Sequence, residues 1–362
     1  MIYNKNNTSH KEVKAPLFLG QQLGLHDTIN VRHPVLEEIF QKQKALDWSE
    51  FEVDLSQDKN DFKTCPVGMR DLMIKNLAFQ FELDSCASRA TGSLIAPFIS
   101  NPELWRCAIK IQEIEVLHAV TYSHIARMCL EDPNELIDEV YKNENIIKRA
   151  NKVIDVFDEI HKLGAYFTLN TDVVDIKKTK IAILKYFAAL YALERIQFMA
   201  SFSATFSLVE QGYFFGVASL VQKILNDEML HSQDFDKYVV KVLSEEFKEE
   251  FHDEGVKEEI KAIIDEVVDS EYQWAGYLFT EGRSVIGLNE QLMKSWVDFN
   301  ALEVYNAFGL VPNFEIVQTN PIPFMDRWMD IDKIQNANQE MANTNYRLNS
   351  YIDDTKGIVE RL

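Results

Sequence analysis

Apolar residues recur every three or four positions through most of this chain, which is the spacing of amphipathic helices. The residues that most often interrupt helices are scarce, with 13 glycines and 9 prolines among 362 residues. Helical periodicity runs through residues 35–44, 71–94, 102–130, 135–163, 175–209, 215–244, 256–280 and 289–308. The sequence therefore predicts an all-α protein.

Both ends of the chain lack this periodicity. Residues 1–33 are typical of an irregular arm, and residues 331–362 are polar, rich in asparagine and poor in the apolar side chains that form a core. We predict three parts: an N-terminal arm at 1–33, a helical domain at 34–330, and a disordered C-terminal tail at 331–362.

One apolar stretch raises the alternative of a membrane helix, because residues 196–222 contain a single charged side chain, Glu210. A membrane span needs about 20 mostly apolar residues. This stretch is interrupted by serines, glutamines and two glycines, and we interpret it as two central helices of a bundle, joined near 210–212. We therefore expect no membrane association.

Charge and cysteine content narrow the function further. The formal net charge of −20 argues against binding nucleic acid through its phosphates. No Cys-x-x-Cys pair is present, which favours reduced, buried thiols and a cytoplasmic location. The cysteines are Cys65, Cys86, Cys107 and Cys129.

Two short motifs place a carboxylate and an imidazole three residues apart, Glu115 with His118 and Glu228 with His231. On a helix this spacing brings both side chains onto one face. Two such motifs in apolar helices are typical of a pair of helices that holds two metal ions between them. Tyr122 lies one turn beyond His118 on the same face.

A two-metal site of this kind needs one further carboxylate from each of two other helices. Glu194 is the candidate before the second motif, because a lone carboxylate on an apolar face is costly unless it is paired or coordinated. Before the first motif, either Glu82 or Asp84 fits. Four carboxylates and two neutral imidazoles balance two divalent cations, and such ligands suit iron or manganese better than structural zinc.

With these residues the chain resembles the small, radical-generating subunit of class I ribonucleotide reductase, from about residue 48 to residue 308. The motifs that carry the resemblance are Asp84-Ser85, Glu115-x-x-His118-x-x-x-Tyr122, Glu194-Arg-Ile-Gln-Phe198 and Asp227-Glu228-x-x-His231. The resemblance implies a ferritin-like helical bundle with additional helices, which forms a homodimer.

The resemblance also implies two iron ions in an Fe–O–Fe centre, with manganese as an alternative metal. It chooses Asp84 over Glu82 and makes Glu115 and Glu228 the bridging ligands. The implied ligands are Asp84, Glu115 and His118 for one ion, and Glu194, Glu228 and His231 for the other.

By the same resemblance Tyr122 is the site of a stable radical formed with O2, and Phe198, Phe202 and Ile224 are its apolar shield. Trp48 and Asp227 would carry an electron from an external donor, with Asp227 hydrogen-bonded to His118.

The tail would dock on the large subunit, which reduces ribonucleotides to deoxyribonucleotides. Its tyrosine, Tyr346 in preference to Tyr351, would relay the radical, and residues 357–362 would be the docking peptide. Two alternatives share the Glu-x-x-His motifs: a di-iron oxygenase or desaturase, and a shorter ferroxidase or iron-storage protein.

Overall fold

The computed structural model describes residues 3–170 and 175–330, and helices make up most of both ranges. Backbone pairing of the strand type is confined there to two isolated bridges, Phe18 with Ile99 and Val285 with Leu288. The prediction of an all-α protein is therefore confirmed.

The helices are numbered in chain order. They are α1 (Pro34–Ala45), α2 (Ser56–Thr64), α3 (Val67–Ala90), α4 (Pro102–Cys129), α5 (Asn134–Lys142), α6 (Glu144–Leu169), α7 (Ile176–Ala192), α8 (Phe198–Val209), α9 (Phe215–Met229), α10 (Lys237–Glu246), α11 (Lys248–Phe251), α12 (Glu254–Leu278), α13 (Glu290–Ala307) and α14 (Phe324–Met329). Two π-helical turns, Leu193–Gln197 and Leu230–Asp236, join α7 to α8 and α9 to α10.

The long helices pack side by side, α3 along α4 and α12 along α13, and α6, α7 and α12 all contact one another. Every residue of α8 is buried. Its serines suit this interior because they bond to their own helix: Ser203 and Ser207 donate to the carbonyls of Ala200 and Ala204 at 2.7 Å. None of the described helices combines the length and apolar composition that crossing a bilayer requires.

Several helix boundaries differ from the predicted ones. The helix predicted at 71–94 begins at Val67, directly after Pro66, and ends at Ala90. The region 135–163 is divided at Asn143, whose side chain accepts from the Asn145 amide and so caps α6. The mostly polar α2 was not predicted, because only three of its residues are buried.

Residues 3–33 lie against the helical body. Leu17 and Phe18 are buried, and the Leu17 amide donates to the Glu246 carboxylate at 3.1 Å. The predicted tail, 331–362, lies outside the described residues, as do its tyrosines Tyr346 and Tyr351. The division into three parts stays a prediction.

Helix α9 is capped by carboxylates from α2. Phe214, which precedes α9, has a left-handed backbone with φ of 64°. The two Asp58 oxygens accept from the amides of Gly216 and Val217 at 3.1 and 2.8 Å, and Asp61 accepts from the Phe214 amide at 2.9 Å. A Cβ at position 216 would lie 2.3 Å from the Asp58 carboxylate, so any larger residue there would displace this cap.

We expect Asp58→Ala to lower the free energy of unfolding by about 1–3 kcal/mol, because two buried amides at the start of α9 lose their acceptor. Urea denaturation followed by circular dichroism measures the change. Asp138→Ala, which removes an exposed carboxylate from α5, is the control and should change the value by less than about 0.5 kcal/mol. Equal effects of the two variants would contradict the capping role.

Candidate metal centre

Six ionisable side chains converge in the interior between α3, α4, α9 and the two π turns. All of them are 0 or 1% exposed. They form two overlapping groups, in each of which one atom per residue lies within 4.8 Å of the others. The groups are Asp84, Glu115, His118 and Glu228, and Glu115, Glu194, Glu228 and His231. Only Glu115 and Glu228 belong to both groups, so they lie between two positions that a cation could take.

The two imidazoles face these shared carboxylates. His118 Nδ1 lies 3.4 Å from a Glu115 oxygen and 3.1 Å from a Glu228 oxygen. His231 Nδ1 lies 3.2 and 3.5 Å from the other oxygen of each. Asp84 is on the His118 side, 4.0 Å from Nδ1 of that ring.

The residues of the cluster lie in two kinds of helical backbone. Asp84, Glu115 and His118 project from the regular helices α3 and α4. Glu194 and His231 lie within the two π turns. A π turn inserts an extra residue into a helix and thereby rotates the side chains beside it, and such turns are frequent at functional sites.

The donor atoms of the cluster lack the partners that buried polar atoms normally have. Both oxygens of all four carboxylates, together with Nδ1 of His118 and of His231, make no hydrogen bond among the described residues. Buried polar atoms without partners are costly. Carboxylate oxygen and imidazole nitrogen in this number are the ligands that iron and manganese take in helical bundles. The residues present therefore fit a pair of such ions.

The pKa values follow from this crowding. Burial raises the pKa of Asp84 and of Glu194 well above the ordinary range. Burial acts in the same direction on Glu115, but its contacts with the two imidazoles prevail and lower its pKa to about 2. Burial would lower the pKa of His231, yet contacts with Glu115 and Glu228 raise it to about 10. Burial thus favours neutral carboxyl groups at Asp84 and Glu194, whereas the shared carboxylates favour a charged imidazole at His231.

Tyr122 lies beside the cluster and is completely buried. Burial, and then the neighbouring Asp84 carboxylate, raise the pKa of the phenol well above its ordinary value. Its hydroxyl makes no hydrogen bond within the geometric limits among the described residues. The three residues predicted as an apolar shield, Phe198, Phe202 and Ile224, are at most 1% exposed.

Trp48 is connected to the cluster through Asp227. The indole Nε1 donates to Asp227 Oδ2 at 2.8 Å, and the same oxygen lies 3.0 Å from His118 Nε2. The Trp48 and His118 rings are stacked, with centroids 6.1 Å apart. Trp48 is half-buried and the Lys223 ammonium lies 5.9 Å from its ring centroid, so this path begins near the surface.

The sequence from residue 26 to residue 321 matches the family described as ribonucleotide reductase, small chain. The chain belongs to this family. A small chain implies a large-subunit partner. The family match favours the reductase over the oxygenase and iron-storage alternatives.

Known proteins agree with the assignment. The ribonucleoside-diphosphate reductase subunit beta of Buchnera aphidicola is 30% identical over 368 residues, covering 97% of this chain and 96% of that one. The R2 subunit from Clostridium botulinum has a TM-score of 0.80 at 20% identity and covers 91% of this chain and 98% of that one. The dimanganese(II)-NrdF of Streptococcus sanguinis has a TM-score of 0.66 at 18% identity and covers 86% and 100%. These structures confirm the fold of a small chain.

The helical periodicity of the sequence did not decide whether Glu82 or Asp84 belongs to the cluster. In the structure the two side chains lie in different places. Asp84 lies in the cluster. Glu82 borders a cavity of about 560 Å³ that is lined by α3, α5 and α6, and burial raises its pKa to about 7.

Asp236 is a buried carboxyl group that the sequence did not single out. Its carboxyl group interacts with that of Glu194, and neither of its oxygens makes a hydrogen bond within the geometric limits among the described residues. Burial raises its pKa to about 8. Asp236 lies five residues after His231, roughly 140° away around a regular α-helix. Only the π turn brings it towards the cluster, so no helical spacing rule could have found it.

We expect Asp236 and His231 to make the metal-free protein lose stability as the pH rises between roughly 4 and 10. Asp236 and His231 bind their protons more tightly in the folded chain. The stability that each contributes is therefore complete below its ordinary pKa and is lost as the pH rises through its folded value, about 8 and about 10. The melting temperature of chelator-treated protein measures this trend.

Asp236→Asn is the matched variant, since an amide cannot ionise and the decline up to about pH 8 should become shallower. A melting temperature that is constant or rises over this range in the metal-free parent would contradict the assigned protonation.

Proposed function

We propose that this chain is the radical-generating subunit of a class I ribonucleoside-diphosphate reductase, with Tyr122 as the radical site. Asp84, Glu115 and His118 would hold one metal ion, and Glu194, Glu228 and His231 the other, with Glu115 and Glu228 shared. Two redox-active ions there would supply, with O2, an oxidant strong enough to oxidise a phenol. The radical would then pass to the large subunit, where ribonucleotides become deoxyribonucleotides.

The observation that carries the proposal is the burial of Tyr122 beside Asp84. The phenol is kept protonated by burial and loses a proton together with its electron when it becomes a neutral radical. The Asp84 carboxylate interacts with the hydroxyl and is therefore our proposed acceptor for that proton. The surrounding apolar side chains exclude water and reductants, which gives the radical a long lifetime.

Trp48 and Asp227 would bring in the electron that an external donor supplies. The hydrogen bond from Trp48 to Asp227 and the contact between Asp227 and His118 support this path. Asp227 also orients the His118 ring, which leaves Nδ1 directed at the shared carboxylates.

Iron is the metal we propose, with manganese as the alternative, because both accept four carboxylates and two imidazoles. The structural relative from Streptococcus sanguinis is a dimanganese protein.

The C-terminal tail, 331–362, is proposed to dock on the large subunit, with Tyr346 as the relay. Helix α14 is the last described element and packs on α8 and α9. The Trp328 carbonyl accepts from Gln222, which is adjacent to the Lys223 that covers Trp48. The last described helix therefore lies against α9, the helix that carries Asp227, which supports a path from Trp48 and Asp227 to a tail tyrosine.

A homodimer in the cytoplasm completes the proposal. The outer face of α4 exposes Ile109, Val116 and Val120, spaced by seven and four residues, and each is at least 39% exposed. Such an apolar face suits a contact between two copies. All four cysteines are free, which fits a reducing compartment.

Loading with ferrous iron and O2, or with manganese and an oxidant, should generate a tyrosyl signal in electron paramagnetic resonance. Tyr122→Phe should abolish the signal while the bound metal stays at the parent level, because the phenylalanine ring cannot lose a hydroxyl proton. Tyr305→Phe is the control, since Tyr305 is equally buried but bonds to Asp265, and it should keep the signal. An unchanged signal in Tyr122→Phe would refute the radical assignment.

Truncation after residue 330 should leave the tyrosyl signal intact and abolish ribonucleotide reduction with the large subunit, because docking is lost. Tyr346→Phe in the full chain should also abolish turnover but keep binding to the large subunit, measured by surface plasmon resonance. The same change at Tyr351 is the control. Turnover by the truncated chain would show that the tail is not the docking element.

A further inference from the structure

Arg149 of α6 and Glu271 of α12 form an ion pair in the protein interior, outside the metal centre. Both residues are at most 2% exposed. Arg149 Nε and Nη2 donate to the two Glu271 oxygens at 2.5 and 2.6 Å. The guanidinium carbon lies 3.4 Å from the centroid of Phe79 and 4.7 Å from that of Trp274. Burying two charges is costly, and a buried ion pair by itself is weak evidence for stability.

The pair also holds the π turn that carries Glu194. Arg149 Nη2 donates at 3.1 Å to the carbonyl of Gln197, the last residue of that turn. In return, Gln197 Nε2 donates to the Arg149 carbonyl at 2.9 Å and to Glu271 at 3.2 Å. Both the backbone and the side chain of Gln197 are therefore bound to this pair.

The same contacts extend into the first turn of α8. Arg149 Nη2 also donates to the Ser201 hydroxyl at 3.1 Å, and Asn76 of α3 donates to the Ser201 carbonyl at 3.0 Å. The backbone is thus held where it changes from π to α geometry. A π turn weakens the regular hydrogen-bond ladder, and in the interior its groups need partners from elsewhere in the fold.

Glu194, by contrast, lacks any partner that would orient it except Asp236. Its position in the centre follows from the backbone of the turn. Asp84, Glu115 and His118 depend on no such turn, because they stand on α3 and α4.

We propose that Arg149 and Glu271 are a positioning pair that fixes the π turn Leu193–Gln197 and thereby sets the metal affinity on the Glu194 side of the centre. This inference rests on the proposed two-metal centre. The positioning role explains why an arginine stands at position 149. A planar guanidinium can bond to both Glu271 oxygens and to the Gln197 carbonyl, which a single lysine ammonium cannot do in the same arrangement.

The test measures binding of Mn²⁺ alone, without O2, by equilibrium dialysis and by electron paramagnetic resonance of the free ion. The parent should bind two ions per chain. The double variant Arg149→Met/Glu271→Met replaces both charges by apolar side chains of similar volume, which often preserves folding. We expect the double variant to lower the affinity for one of the two ions by about 10- to 100-fold, as loss of an orienting partner typically does. The affinity for the other ion should stay unchanged.

Two further variants exclude a general loss of folding. Gln197→Leu keeps the ion pair and removes only the contacts of the Gln197 side-chain amide. It should lower the affinity for the same ion, but by a smaller factor. Arg283→Met removes another buried guanidinium, bonded to Asp71 and to the Leu278 carbonyl, and should leave both affinities unchanged.

A double-mutant cycle identifies the side of the centre that responds. In a Glu194→Ala background the Arg149→Met/Glu271→Met change should cause no further loss of Mn²⁺ affinity. In an Asp84→Ala background the same change should lower the affinity for the ion that is still bound. Parent affinity for both ions in the double variant, or an equal loss of both, would overturn the inference. A parent chain that binds fewer than two ions would instead refute the two-metal centre itself.

Discussion

The structure depends on one electrostatic constraint: four carboxylates share one buried cavity without a lysine or arginine bonded to them among the described residues. Like charges this close cannot all ionise in an apolar interior. Protonated imidazoles and carboxyl groups relieve the repulsion in the metal-free chain, and two divalent cations would relieve it completely. The rest of the site has to accommodate this negative charge in a place from which the surrounding apolar helices exclude water.

The fold meets this constraint with two kinds of backbone. The regular helices α3 and α4 carry three of the six candidate ligands, and Tyr122 follows His118 by one turn. Glu228 stands on α9, whereas Glu194 and His231 lie in the two π turns, whose altered geometry also brings Asp236 towards Glu194. The Arg149–Glu271 pair contacts the first of these turns, and carboxylates of α2 position α9 at its first turn. Both supports come from segments far away in the sequence.

What could be predicted from the sequence follows the same division. The Glu-x-x-His motifs and Tyr122 could be predicted because their spacing is that of one face of a helix. The choice between Glu82 and Asp84 was not, because two residues on one helix with similar neighbours differ only in what packs against them. Asp236 and the Arg149–Glu271 pair were beyond reach, the first because it needs a π turn and the second because α6 and α12 meet only in the folded chain. Helix α2 was missed because its polar residues serve another helix.

The placement of the ligands at opposite ends of a long stretch of chain has a consequence for the cell. Segments α3–α4 and α7–α9 must come together before both cation positions exist, so an unfolded chain has no comparable site. Ions that bind only the folded form stabilise it in proportion to the logarithm of their free concentration. A chain whose two cation positions are filled would therefore open less often than an empty one, and the free metal concentration would set how long each folded chain persists.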